Sequence, residues 1–239
     1  MAQIVLVRHA QASFLEANYD RLCANGERQA QLLGEYWASR NIQFCRVWSG
    51  PKVRQTQTAR RVMEGFRKLG RQFPELETMS ELDEYPGEEV LRQGLPQLME
   101  SSEEVRRMHR LFQHSGDLGE RRKVFQQLFE LVVSKWVNGG LKISGTESWP
   151  EFCARVNRGL LRLSNAAKSK TAIVAFTSGG PIAVALQRAM QLSTSVTLQM
   201  TWMSRNASFT DFLHSGRRFT LSSFNATPHL DGESLLTYR

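Results

Sequence analysis

The sequence predicts an α/β protein, a three-layer α/β/α sandwich with a mostly parallel central sheet and a helical cap insertion. Three observations predict it. Short β-branched apolar runs alternate with amphipathic helical stretches from the N-terminus to about residue 66. A strand-turn-helix unit, "TAIVAFTSGGPIAVALQRAM" at 171–190, returns late in the chain. Between about 86 and 145 the alternation stops and only helical patterns remain. Parallel strands need a crossover, usually helical, so alternation implies a parallel sheet clothed in helices. A chain of 239 residues buries one good core, which gives a single domain over 1–239 with an insertion at about 86–145.

The elements follow in order. "QIVLV", 3–7, is a compact strand that ends abruptly in Arg8 and His9. A helix is expected from near Asn25, its cap, to Arg40, with Leu32, Leu33, Tyr36 and Trp37 on one face. "FCRVWSG" reads as a second buried strand, and "KVRQTQTARRVMEGF" as a helix opening just after Pro51. In the insertion, "EEVLRQGLPQLME", "SSEEVRRMHRLFQH" and "ERRKVFQQLFELVVSKWV" are helices separated by Gly, Pro and Ser signals. Arg92, Arg106, Arg107, Arg110, Arg121, Arg122 and Lys123 lie on them, as a solvated face or as a surface for anions. "WPEFCARVNRGLLRLSNAA" is the helix that leads back to the sheet. The tail, "NASFTDFLHSGRRFTLSSFN", alternates as an edge hairpin with its turn near Ser215 and Gly216.

Composition narrows the function. The charge of +8, from 31 Lys+Arg against 23 Asp+Glu, favours anionic partners. Without a nucleic-acid motif or arginine-glycine tract, a small phosphorylated substrate is the better reading than RNA. No run is long and apolar enough for a bilayer, and the N-terminus enters a strand with no basic leader, so a cytoplasmic protein without membrane contact is expected. The three cysteines, Cys23, Cys45 and Cys153, have neither disulfide-framework nor zinc spacing. No motif calls for a metal or cofactor, and oligomeric state is open.

Ligands of open α/β sheets collect at the carboxyl ends of strands. There the first strand presents Arg8-His9, the second is followed by Ser49 and, past the turn, Arg54, and a later one ends in Thr177-Ser178-Gly179-Gly180. Guanidinium forks suit phosphate oxygens, and a neutral imidazole between two of them can attack phosphorus. The last turn aims backbone N–H groups and a helix N-terminus at an anion. Ser178 as a nucleophile finds no support, because "FTSGG" is not G-x-S-x-G.

The arrangement resembles the histidine phosphatase superfamily, the phosphoglycerate mutase-like group. "LVRHAQAS" is similar to its Arg-His-Gly signature, with Ala10 for the glycine. "LCANGERQA", 22–30, resembles its Leu-x-x-x-Gly-x-x-Gln-Ala helix start, and "SGPKVRQTQTA", 49–59, its Ser-x-x-x-x-Arg-x-x-x-Thr-Ala segment. "ELDEYPGE", 81–88, resembles its Leu-x-Glu stretch and "GTESWPEFCARV", 145–156, its Glu-Ser helix start. The resemblance implies a hydrolase acting on phosphomonoesters through a phosphohistidine. In it His9 is the nucleophile, Arg8 and Arg54 clamp the phosphoryl oxygens, and Glu84, rather than Asp83, is the acid and base. Phosphate binding would draw on Arg8, Arg54, Ser178, Gly179 and Ser13. The family's second histidine, in a Ser-His-Gly-Gly turn, is replaced by Ser178, which offers one shorter, uncharged donor. A donor lost from the transition state costs on the order of 10²–10³ in rate. Leu15 falls where many members carry an asparagine, and His229 is a weak candidate to replace the missing imidazole. His109 and His114 belong to the cap. The rivals are a non-catalytic relative that binds a phosphorylated ligand or partner protein, and, more weakly, a mutase.

Overall fold

The computed structural model describes residues 1–13, 20–216, 218–230 and 235–238. Residues Met1–Glu84 and Cys153–Arg239 form one unit and Tyr85–Phe152 a second.

The first unit carries the sheet. Its strands are β1 (Ala2–Arg8), β2 (Arg46–Ser49), β3 (Leu76–Thr78), β4 (Ala172–Thr177), β5 (Phe209–Ser215) and β6 (Arg218–Ala226). They run in the order β3-β2-β4-β1-β5-β6. The first four are mutually parallel, and the β5–β6 hairpin adds antiparallel to β1. This is the mixed α/β, mostly parallel architecture that strand-helix alternation predicts. β4 lies between β1 and β2, with Arg8 opposite Thr177 and Ser49 opposite Phe176. Strands that close on polar residues in the sequence thus end side by side at one edge of the sheet.

Side chains alternate across the sheet. On one face Val5, Val7, Val47, Val174 and Phe176 pack with Ala30, Leu33 and Trp37 of α1 (Ala24–Ser39) and Ala59, Val62 and Phe66 of α2 (Val53–Lys68). Ile4, Leu6, Ile173 and Ala175, fully buried, belong to the other face. α1 begins two residues earlier than an Asn25 cap predicts. Cys23 is its N-cap, with Sγ accepting from the Gly26 N–H. Asn25 instead donates through Nδ2 to Gln11 Oε1 at 2.6 Å. Gly26 is obligatory there, because a Cβ would lie 2.0 Å from the Gln11 carbonyl oxygen.

The second unit holds α3 (Gly87–Ser101), α4 (Glu103–His114) and α5 (Leu118–Val137), and α6 (Trp149–Ala166) begins within it. It has its own core: Tyr85 meets Trp136, Trp149 and Phe152 at ring-centroid distances of 6.0, 6.3 and 5.8 Å. Much of its positive charge is locally balanced. Arg92 pairs with Glu89, and Arg106 and Arg110 both pair with Glu103. Arg107, Arg122 and Lys123 are exposed. Such surface pairs contribute little to stability, and they leave fewer cations for an anion than the sequence count implies. His109 is partly exposed and His114 exposed on α4. The remaining helices, α7 (Gly179–Met190) and α8 (Thr194–Met203), belong to the first unit. Among the described residues no helix is long and apolar enough to cross a membrane.

Candidate active site

The carboxyl ends of β1 and β4 and the N-terminal ends of α2 and α7 converge within the first unit. His9 is held there through its own backbone. Its N–H donates to the Thr177 carbonyl at 2.8 Å, and its carbonyl accepts from the Ala207 N–H and from Asn206 Nδ2, both at 3.3 Å. The ring is oriented as firmly. Nδ1 lies 2.8 Å from the Ala10 carbonyl, which only accepts, so Nδ1 carries the proton. Arg54 Nε–H points at Nε2 across 3.3 Å, which requires a lone pair there. The neighbours therefore select the neutral tautomer with Nε2 unprotonated, and side-chain exposure is slight: the residue is 5 % accessible.

Arg8 and Arg54 are each 6 % accessible. Arg8 Nη1 donates to the Ser204 carbonyl. Arg54 Nη1 pairs with Asp20 Oδ1 at 2.8 Å, and the same carboxylate accepts the Val53 and Arg54 N–H groups at 3.0 and 3.4 Å. Asp20 thus caps the α2 N-terminus and balances one buried guanidinium, as expected for a charge taken out of water.

Glu84 and Asp83 are separated by their partners. Glu84 Oε2 accepts the Gly180 N–H at 3.2 Å, at the start of α7. Asp83 Oδ1 accepts the Glu84 N–H at 2.7 Å, and its other oxygen is 4.0 Å from Lys52 Nζ. The structure therefore brings Glu84 to the helix end and leaves Asp83 as a local brace.

The segment bearing Glu84 is gripped from two sides. Arg155 of α6 donates through Nη1 to the carbonyls of Ser80, Glu81 and Asp83 at 3.1–3.2 Å, and through Nη2 to that of Glu84 at 3.4 Å. The intervening Leu82 carbonyl accepts from Thr177 Oγ1 at 2.7 Å. One guanidinium and one hydroxyl so engage five successive carbonyls. A backbone held at so many points restricts where the Glu84 carboxylate can reach.

Ser178 is the N-cap of α7 and is fully buried; its Oγ accepts from Gln55 Nε2 at 2.8 Å. Gly179 is buried too, with the Thr201 carbonyl oxygen 2.7 Å from where a Cβ would stand. Ser13 is buried, and its N–H donates to the Arg21 carbonyl at 2.9 Å, which anchors the loop after His9. Leu15 lies outside the described residues. Among the described residues no group of three or more His, Cys, Asp or Glu side chains is placed to hold a metal ion.

His229 sits elsewhere. Its ring stacks on Phe209 at 6.4 Å and leans on Tyr36 at 6.2 Å, and neither nitrogen has a hydrogen-bond partner among the described residues. Burial pushes its pKa down to about 4 from 6.5. The folded protein holds this imidazole neutral while the unfolded chain protonates it near pH 6.5. Its share of stability is complete above about pH 6.5 and falls as the pH drops toward 4, by roughly 3 kcal/mol in all. His229→Phe is expected to flatten this acid limb in urea unfolding measured between pH 7.5 and 4. Equal pH dependence of variant and parent would show that the imidazole titrates alike in the folded and unfolded chain.

Asp20, Gln55, Arg155 and Asn206 carry no signal of their own in the sequence. Gln55 directly follows Arg54, and Arg155 falls inside a segment already singled out, but their partners lie 123 and about 71–75 positions away.

A model of the histidine phosphatase superfamily (branch 1) matches residues 4–127 and 114–227. No curated protein matches the sequence. Among solved structures, phosphoserine phosphatase from Entamoeba histolytica, in complex with 3-phosphoglyceric acid, is 18 % identical with a TM-score of 0.62, covering 96 % of this chain and 100 % of that one. Phosphoglycerate mutase from Bacillus anthracis is 17 % identical, TM-score 0.61, with 95 % and 94 % covered. Mycobacterial glucosyl-3-phosphoglycerate phosphatase is 17 % identical, TM-score 0.61, with 95 % and 100 % covered. At these identities the likeness is one of fold.

Proposed function

The chain belongs to the histidine phosphatase superfamily, branch 1, and from that premise we propose that it is a phosphatase hydrolysing small phosphomonoesters through a phosphohistidine on His9. The observation that carries the reading is the state of that ring. Its Nδ1–H is given to Ala10 and its Nε2 lone pair is directed at Arg54, a nucleophile already deprotonated at the atom that must attack.

The steps balance with the residues present. Nε2 attacks phosphorus while Arg54 Nε, now relieved of the lone pair, turns to a phosphoryl oxygen alongside Arg8. Glu84 gives its proton to the ester oxygen as the P–O bond breaks, leaving the alcohol and a phosphohistidine. The Glu84 carboxylate then takes a proton from water, whose oxygen attacks phosphorus and breaks the P–N bond. Inorganic phosphate leaves and Glu84 is protonated again. The two guanidiniums meet the charge on the transferring group, which is where most of the catalysis of phosphoryl transfer resides.

The whole chain then serves as one histidine-phosphatase-like domain over 1–239 with its helical cap inserted at about 86–145, and the protein works in the cytoplasm. Small phosphorylated metabolites are the substrate class, and the 3-phosphoglyceric acid and phosphoserine ligands of the similarly folded Entamoeba enzyme set a starting panel. The test is release of inorganic phosphate from that panel and from p-nitrophenyl phosphate. Turnover with an acid-labile, alkali-stable phosphoenzyme is expected; phosphate release that needs a bisphosphate primer would instead mark a mutase, and no release from any ester would leave a binding protein.

A further inference from the structure

The amide of Gln55 stands where three chain segments meet. Gln55 is fully buried. Its Oε1 accepts the Lys52 N–H at 3.1 Å, and its Nε2 donates to Ser178 Oγ at 2.8 Å and, at 3.4 Å, to the Leu82 carbonyl. A backbone N–H only donates and a carbonyl only accepts, so the amide has one orientation, oxygen to Lys52 and nitrogen to Ser178. Gly50 makes room for it, since a Cβ there would lie 2.2 Å from Gln55 Oε1.

This orientation decides what Ser178 does. An amide nitrogen offers only hydrogens, so Ser178 Oγ is the acceptor in the pair and its own proton is turned away from Gln55. The hydroxyl is also not spent on capping: Ser178 is the N-cap of α7, yet its side chain accepts no helix N–H. It directly follows Thr177, which is opposite Arg8 and accepts the His9 N–H. Two residues on, the Gly180 N–H is covered by the Glu84 carboxylate. An incoming phosphoryl group that displaces this carboxylate would meet the α7 N-terminus and the serine together.

We propose that Gln55 is a positioning residue for phosphoryl transfer, holding the Ser178 hydroxyl so that its proton is presented to a phosphoryl oxygen at the N-terminus of α7. The inference rests on the phosphatase reading for the identity of the anion. It makes Gln55 and Ser178 one device, with the glutamine setting the direction of the hydrogen bond and the serine making it.

The test reverses that direction without changing shape. In Gln55→Glu a carboxylate oxygen replaces Nε2 and draws the Ser178 proton toward itself. Expected is a fall in kcat of roughly 10- to 10²-fold, below the full cost of a transition-state donor. The same variant in a Ser178→Ala background should show almost no further loss, since the residue acts through the hydroxyl. A loss due only to the added charge would persist in that background and would overturn the proposal, as would an unchanged kcat in the single variant. Gln55→Met, uncharged and without a donor, checks the same coupling, and thermal unfolding of every variant separates loss of fold from loss of rate. The affinity for inorganic phosphate, measured by calorimetry, gives a second readout. If no ester is turned over, the phosphatase reading falls alone. Weaker phosphate binding by Gln55→Glu that vanishes beside Ser178→Ala would then sustain the coupling, and equal weakening in both backgrounds would end it.

Discussion

His9→Ala is expected to lower phosphate release by on the order of 10⁴-fold or more and to abolish the phosphoenzyme, the largest effect of any single substitution in this protein. The expectation follows from what the imidazole cannot share. In the proposed mechanism Arg8, Arg54 and Glu84 still bind and polarise a phosphate in its absence, so a residual rate above that in water should survive, but none of them offers a lone pair held at the phosphorus. The measurement is rapid-quench labelling with a radioactive phosphomonoester, followed by acid and alkali treatment of the protein. Label that forms in the parent, is lost in acid, survives alkali and is missing from His9→Ala assigns the nucleophile. Undiminished turnover by the variant would remove the assignment altogether. The fold should tolerate the change, because His9 is fixed largely by backbone bonds to Thr177 and Ala207 and by Asn206 Nδ2 at its carbonyl, which alanine keeps.

Why His9 can be found in the sequence while Gln55 cannot is a matter of topology. β1, β2 and β4 announce themselves as apolar β-branched runs that stop at polar residues, and a parallel sheet must align such stops at one edge. Arg8, His9 and Ser178 are therefore legible from position alone, and Arg54 from its place in the turn after β2. The paired elements are not. That Gln55 reaches Ser178 depends on β4 lying beside β2, and that Arg155 reaches the Glu84 segment depends on where α6 packs; neither follows from periodicity. β3 escapes for a different reason. Its three residues are only partly buried or exposed, so no alternation exists to read. The edge hairpin is legible because burial does alternate along the first part of β6. The basic insertion shows the converse case, a signal that is visible but whose partners the sequence does not display. The count of arginines suggests an anion-selecting surface, but Glu89 pairs with Arg92 one helical turn away, and Glu103 with Arg106 one turn and Arg110 two turns away.

Glu84→Gln is expected to split the two half-reactions. As the proposed acid, Glu84 matters in proportion to how poorly the leaving group departs by itself, and general acid-base catalysis contributes about 10²–10⁴-fold. For an alkyl phosphomonoester, whose alkoxide cannot leave unprotonated, a loss in that range is expected on kcat. For p-nitrophenyl phosphate the first step needs no proton, so phenolate should still appear at nearly the parental rate for one equivalent of enzyme. The second step still requires a base to activate water, which glutamine cannot supply. A stopped-flow burst of one p-nitrophenolate per active site, followed by slow turnover and an accumulated phosphohistidine, is the predicted trace. Asp83→Asn keeps an oxygen for the Glu84 N–H, now bound at 2.7 Å, and should leave both steps close to the parent. Equal losses on both esters with no burst would mean that Glu84 only closes the α7 N-terminus through Gly180, and that the proton comes from another group.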